Sequence, residues 1–276
     1  MNVLLPVFRG PSFRDALTLA VDVAKSHGGS IRVLSIVDRG EIRRIEEGAR
    51  PGAFHLARHA ADEVEKRMTA EGTASVREAT RIVADAGVPA KGEVREGEPE
   101  RELIAAAGGF DVLVSAAASH FDPDQGDAPG RLVLSVMRDG GIPVLLACSP
   151  FRPVRTVVLG CGGGPRTERA IGAMARLSLW KSVSRGILLA VDDSRAAGEA
   201  RLSGPRELLA DAGYPAWEER VIPGPRLEAF SAFCEAEGAD VVVLGGWGEH
   251  WWDDLLGHSV TGRLLEEGRR HLFLYM

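Results

Sequence analysis

Met1-Asn2-Val3-Leu4-Leu5-Pro6-Val7 opens the chain, and the same kind of segment returns as Val154-Arg155-Thr156-Val157-Val158-Leu159-Gly160. A second pair follows the same rule, with Phe110-Asp111-Val112-Leu113-Val114-Ser115-Ala116 matched by Ala239-Asp240-Val241-Val242-Val243-Leu244-Gly245. Aligning Ala16 with Ala170 and Asp111 with Asp240 fixes the register and leaves the second copy about 25 residues shorter in its middle. Each copy is the length of one small α/β domain, so the 276 residues divide as 1–150 and 154–276. The segment Pro150-Phe151-Arg152-Pro153 is the linker and is too short to let the halves drift apart.

Working outward from the first strand, Val3 to Val7 is followed by a turn-rich Arg9-Gly10-Pro11-Ser12. Ala16, Leu17, Ala20, Val23 and Ala24 then fall on one face of a helix. Gly28-Gly29 ends that helix, and Ile31 to Val37 returns as a β-branched strand, which makes a parallel βαβ unit. The pattern predicts a polar segment over 39–51, helices over 54–71 and 75–86, a strand over 92–95 and a helix over 98–107. A strand over 111–115, a helix over 131–138 and a strand over 143–147 complete the half. The second half repeats the plan, ending with a helix from Ser259 and a strand over 271–275. The fold class is α/β: two doubly wound, five-stranded parallel-sheet domains, Rossmann-like, arranged as a pseudo-twofold pair.

Composition narrows the function. Hydrophobic residues are 45% and charged residues 26%, enough for an ordinary core without metals or disulfides. The net charge of -6 comes without a Lys/Arg block, which argues against nucleic acid as a partner. No stretch approaches the apolar length of a membrane span, and MNVLLPVFRG has neither the basic region nor the apolar run of a secretory signal. The three cysteines, Cys148, Cys161 and Cys234, form no disulfide framework and suit a reducing, cytoplasmic interior.

Three pieces carry a family resemblance: Val94-Arg95-Glu96-Gly97-Glu98-Pro99 before a helix, Asp111-Val112-Leu113-Val114, and Val136-Met137-Arg138-Asp139-Gly140-Gly141-Ile142-Pro143-Val144-Leu145-Leu146. With the order of elements they make the chain resemble the universal stress protein family in its tandem form, over essentially all of both halves. The resemblance implies a stress-adaptation or signalling role. It also implies pairing through the last strands, 143–147 and 271–275. Nucleotide-binding members of that family carry an acidic residue after the first strand and a Gly-x2-Gly-x9-Gly-Ser/Thr loop after the fourth. Such a loop lets backbone N–H groups and a helix N-terminus hold phosphate oxygens.

In the second half, Gly245, Gly248 and Ser259 match that loop. His258 stands at the third glycine, and Val260 follows at the start of the helix. Gly162 takes the place of the acidic residue and opens the run Gly162-Gly163-Gly164. By the same resemblance Val191, at the end of a strand, and Gly224, in a later turn, complete the candidate set for ATP or AMP. In the first half Phe8 replaces the acidic residue, Ala116 and Ser119 replace the first two glycines, and Arg131 replaces the hydroxyl. Phe8 would fill space that an adenine or ribose needs.

Two functional classes remain open. One is a non-catalytic stress-response interaction module with degenerate nucleotide sites and partners still to be found. The other is an ATP- or AMP-binding switch with one site in the second half, slow ATP hydrolysis being a weaker extension of it. No catalytic base or metal carboxylate is assignable. His55 and His59, one helical turn apart, have no Glu or Cys to complete a metal site and read as a solvated face. Trp247, Trp251 and Trp252 either cover the open end of the sheet or meet a partner or ligand. Cys161, in a glycine turn before a helix, is where a lowered thiol pKa would be plausible, although without a resolving cysteine it reads as a small buried residue. Whether two chains associate further is not encoded legibly.

Overall fold

The structure, a computed structural model, describes residues 1–8, 10–48, 54–116, 131–245 and 260–276. In the first half the elements are β1 (Asn2–Pro6), α1 (Ser12–Ser26), β2 (Ser30–Asp38), α2 (Arg39–Glu47), α3 (Phe54–Asp85), β3 (Ala90–Gly97), α4 (Pro99–Ala107), β4 (Val112–Ala116), α5 (Arg131–Gly140) and β5 (Val144–Ala147). The second half supplies β6 (Thr156–Gly160), α6 (Pro165–Arg176), β7 (Arg185–Val191), α7 (Arg195–Asp211), β8 (Glu218–Ile222), α8 (Arg226–Ala236), β9 (Val241–Gly245), α9 (Val260–Glu267) and β10 (His271–Tyr275). All ten strands join one sheet in the order β3-β2-β1-β4-β5-β10-β9-β6-β7-β8.

Each half has the same internal order, and all pairings within a half are parallel. The halves meet through one antiparallel pair, β5 with β10, in which Leu145 faces Phe273. An antiparallel contact between two like-ordered parallel sheets is what a twofold rotation produces. Because side chains alternate along a strand, the ten strands divide their apolar residues between two faces. On one face Val3, Val114, Leu145, Phe273, Val243 and Leu159 belong to a single core; on the other Leu4, Leu113, Leu146, Leu272, Val242 and Val158 do. Both cores run through the β5–β10 seam.

The outer strands β3 and β8 are charged where the inner ones are apolar. Glu93 is held by Arg32 at 2.8 Å and Arg95 at 2.6 Å, and Glu218 by Arg185 at 2.7 Å. Charges of this kind keep a free sheet edge from pairing with another chain. The duplicated aspartates that fixed the sequence register have a shared structural task. Asp111 accepts the Asn2 N–H at 2.6 Å, and Asp240 accepts those of Arg155 and Thr156 at 2.8 and 2.9 Å. Each ties the start of its half's first strand to its fourth.

Two helices differ from the sequence expectation. The segment after β2 is helix α2, begun by Asp38, whose side chain accepts the N–H groups of Gly40 and Glu41. The expected pair of helices over 54–86 is one helix, α3, continuous through Gly72. Gly72 is buried, and a Cβ there would lie 2.6 Å from the Ser35 hydroxyl of β2. It is a point of close approach between helix and sheet, so the glycine does not stop the helix. No helix among the described residues is long and apolar enough to cross a membrane.

The linker between the halves is pinned from two sides. Asp15 of α1 accepts from the Ser149 hydroxyl at 2.6 Å and the Phe151 N–H at 3.0 Å. His271 of β10, fully buried, accepts the Cys148 N–H on Nδ1 at 3.1 Å and donates Nε2–H to the Arg152 carbonyl at 2.7 Å. Only neutral imidazole satisfies both bonds. Desolvation lowers the His271 pKa below its ordinary value, against the opposing pull of the Arg152 carbonyl, Asp240, Asp15 and Asp22. A histidine depressed in the folded state leaves the unfolded chain binding more protons, so its contribution is complete above about pH 6.5 and is lost as pH falls below it. Asp22, whose pKa is raised chiefly by desolvation, acts in the opposite sense at the lower pH where carboxylates titrate. We expect the urea midpoint to fall between about pH 7 and pH 5.5 and His271→Asn, which keeps one donor and one acceptor, to flatten that fall. Equal falls in both proteins would remove His271 as the cause.

Candidate functional site

In an open parallel sheet, ligands bind beyond the carboxyl ends of neighbouring strands whose connections run to opposite sides. In the second half those strands are β6 and β9. A cavity of about 150 Å³ lies there, and Gly162, Val191, Gly245 and Val260 all line it. The candidate residues so placed come from the end of β7, the end of β9, the start of α9 and the turn after β6. Gly163 and Gly164 complete that turn with φ of 76° and 104°, left-handed values that favour glycine. Gly164 is the N-cap of α6 and offers no side-chain cap, so the first N–H groups of α6 are uncapped by any side chain.

Gly224 stands apart in the β8–α8 turn, outside the cavity lining, with φ of 115° and its N–H donated to Asp193 at 2.9 Å. Gly248, His258 and Ser259 lie outside the described residues, as do the three tryptophans of the same loop.

Two arginines that the sequence reading missed border the crevice. Arg201 of α7 lies across the glycine turn, its Cγ 3.3 Å from where a Cβ on Gly163 would be. Its guanidinium pairs with Asp192 at 2.6 Å and donates to the Val191 carbonyl at 3.2 Å. Arg226, the first residue of α8, is exposed and has no ion-pair partner among the described residues. The available signal was positional: a basic residue on the helix after one strand, and another opening the helix that follows the Gly224 turn.

The apolar part of the cavity is made by Phe230 and Leu244, with Thr167 of α6 also lining it. The volume is below the roughly 300 Å³ at which sites for drug-sized ligands begin, so the described walls suit a fragment the size of a base or a phosphate. Cys161 also lines the cavity, but burial pushes its thiol up to about 12. This removes the lowered pKa that the glycine turn allowed and agrees with the reading of Cys161 as a small buried residue: at neutral pH the group is a thiol, not the nucleophilic thiolate. Cys234 is likewise pushed to about 12 by burial, and Cys148 is raised for the same reason.

The equivalent place in the first half is built differently. Phe8, which follows β1 where Gly162 follows β6, is buried and meets Phe13 edge-on with ring centroids 5.4 Å apart. It packs in the same core as Ala116 at the end of β4. A side chain takes the volume that the second half leaves open.

This ten-stranded sheet, built of two halves of order 3-2-1-4-5 joined through their last strands and carrying a glycine turn at the second half's switch point, has the universal stress protein fold. A universal stress protein from Archaeoglobus fulgidus DSM 4304 matches 99% of the chain over 97% of its own length, with a TM-score of 0.70 at 14% identity. A putative universal stress protein from Pseudomonas aeruginosa UCBPP-PA14 matches 99% over 92% of its own, with a TM-score of 0.57 at 11% identity. A functionally unknown protein from Pseudomonas aeruginosa PAO1 does so with a TM-score of 0.59 at 10% identity, again over 99% and 92%. No protein-family model and no curated protein matches the sequence.

Proposed function

We propose that the chain is a cytoplasmic two-lobed stress-response module that acts through binding, not through chemistry. Residues 1–150 form a universal stress protein domain with a degenerate site, and 154–276 one with a partly retained glycine loop. The observation that carries this reading is the exchange at the end of the first strand: Phe8 closes one crevice, and Gly162 removes the acidic anchor from the other. The Cys161 thiol in the crevice wall supports it, since burial keeps that thiol protonated. On this reading the partners are proteins, and the lobes themselves form the intramolecular pair that two separate chains would otherwise make.

A second reading, an ATP- or AMP-responsive switch with one site in the second half, is favoured by one feature. The uncapped start of α6, the Gly163–Gly164 turn and Arg226, which has no ion-pair partner among the described residues, together suit a phosphate. Isothermal titration with ATP and AMP, with and without magnesium, separates the two. Absence of heat at millimolar nucleotide is expected from the module. Saturable binding of one nucleotide per chain would replace that reading with the switch, and turnover of ATP would overturn the claim that no chemistry is done.

A further inference from the structure

A larger cleft, about 560 Å³, opens where the end of α1, the end of α6 with its following turn, and the linker residues Pro153 and Val154 meet. It shares no lining residue with the crevice at the strand ends. Both halves contribute, and one contact bridges them, from His27 at the end of α1 to the Ser178 carbonyl in the turn after α6. His27 faces the Val23 carbonyl through Nδ1 at 2.8 Å and the Ser178 carbonyl through Nε2 at 3.2 Å, and Trp180 rests edge-on against Phe273 with centroids 5.9 Å apart. The turn that carries these residues is strained. Ser178 and Trp180 have φ of 53° and 56°, left-handed values that non-glycine residues rarely adopt. Strain of this kind persists where the surroundings over-determine a conformation, and it gathers at ligand sites.

Walls and charges together define what fits. Leu19, Val23, Leu179, Val183 and the half-buried Trp180 give an apolar surface. On the rim, Asp22 and Lys25 stand one turn apart on α1, each within the other's field, and among the described residues neither side chain makes a salt bridge or hydrogen bond. The Asp22 side chain is reachable by solvent, yet the surrounding protein desolvates it enough to raise its pKa against the opposing pull of His271 and Lys25, which marks a carboxylate whose charge is only partly compensated. Lys181, the other cation of the cleft, is committed to the Ala212 carbonyl at 2.8 Å. A simple anion would meet Asp22, and a simple cation would meet Lys25. A ligand with both charges a few ångströms apart and an apolar body meets neither objection. The C-terminal ends of two helices further favour its positive end.

We propose that this cleft binds an apolar or aromatic α-amino acid, its ammonium at Asp22, its carboxylate at Lys25 and its side chain against Val23, Leu179 and Trp180. The test is isothermal titration of the full chain with L-phenylalanine, L-phenylalaninamide and N-acetyl-L-phenylalanine. Phenylalanine should bind saturably at one site, and the amide and the acetylated form should each bind about tenfold more weakly. Asp22→Asn should weaken phenylalanine and the amide by about tenfold and leave the acetylated form unchanged. Lys25→Met should weaken phenylalanine and the acetylated form and leave the amide unchanged. Both side chains are exposed, so the variants keep the fold. No saturable binding of phenylalanine at millimolar concentration, or variants that bind all three compounds as the parent does, would overturn the assignment.

Discussion

Phe273→Ala should lower the stability of the chain by about 3–5 kcal/mol, the range for deleting a buried aromatic ring from a packed core. Phe273 is fully buried in β10, one of the two strands that join the halves, and it faces Leu145 across the antiparallel seam. Its ring also receives the edge of Trp180. Truncation therefore removes contacts from both halves at once, and the surrounding strands are hydrogen-bonded on either side and collapse poorly into the void. Phe273→Leu, which keeps much of the volume, should cost less than half as much. Urea unfolding followed by circular dichroism measures both. A loss below about 1 kcal/mol for the alanine variant would show that the seam is not a continuous packed core.

The two seam strands were legible as short, mostly apolar runs over 143–147 and 271–275, whereas their pairing with each other was an expectation carried by the family resemblance. The duplication was legible from such runs as well, and Asp111 and Asp240 kept the register through a backbone-tying role that each half needs. What local pattern could not show was tertiary. Gly72 looks like a helix stop until β2 is seen pressing Ser35 against it. Helix α2 has few apolar residues to signal it; Ile42 is the buried one, and the informative residue was the cap Asp38, which reads equally well as a strand end. Around the crevice, the glycines could be found from the loop resemblance, whereas Arg201 and Arg226 come from other helices and share no spacing with it. Cys161 reads in sequence as a small buried residue and is one, and its burial removes the lowered pKa that proximity to a helix N-terminus had left open.

The glycines of the crevice carry two different constraints, and one pair of substitutions separates them. At Gly245 a Cβ would lie 2.6 Å from the carbonyl carbon of Arg166 and 2.7 Å from the Thr167 nitrogen, both backbone atoms of α6. Backbone cannot rotate away as a side chain can, so Gly245→Ala must push α6 off the end of β9, and we expect a loss of about 3 kcal/mol. At Gly162 the one neighbour a Cβ would meet among the described residues is the Thr167 hydroxyl at 3.8 Å, an ordinary contact, and Gly162→Ala should change stability by less than about 0.5 kcal/mol. Gly245 thus has a sufficient reason to be glycine in packing alone, whereas Gly162 has none from the described residues around it. Should the chain bind nucleotide, Gly162→Ala is the substitution that acts on affinity without acting on the fold, and Gly245→Ala would reduce both together. Denaturant midpoints for the two variants decide the first half of this argument without any ligand. Equal stability losses would mean that α6 is free to yield and that the close approach at Gly245 is not a constraint.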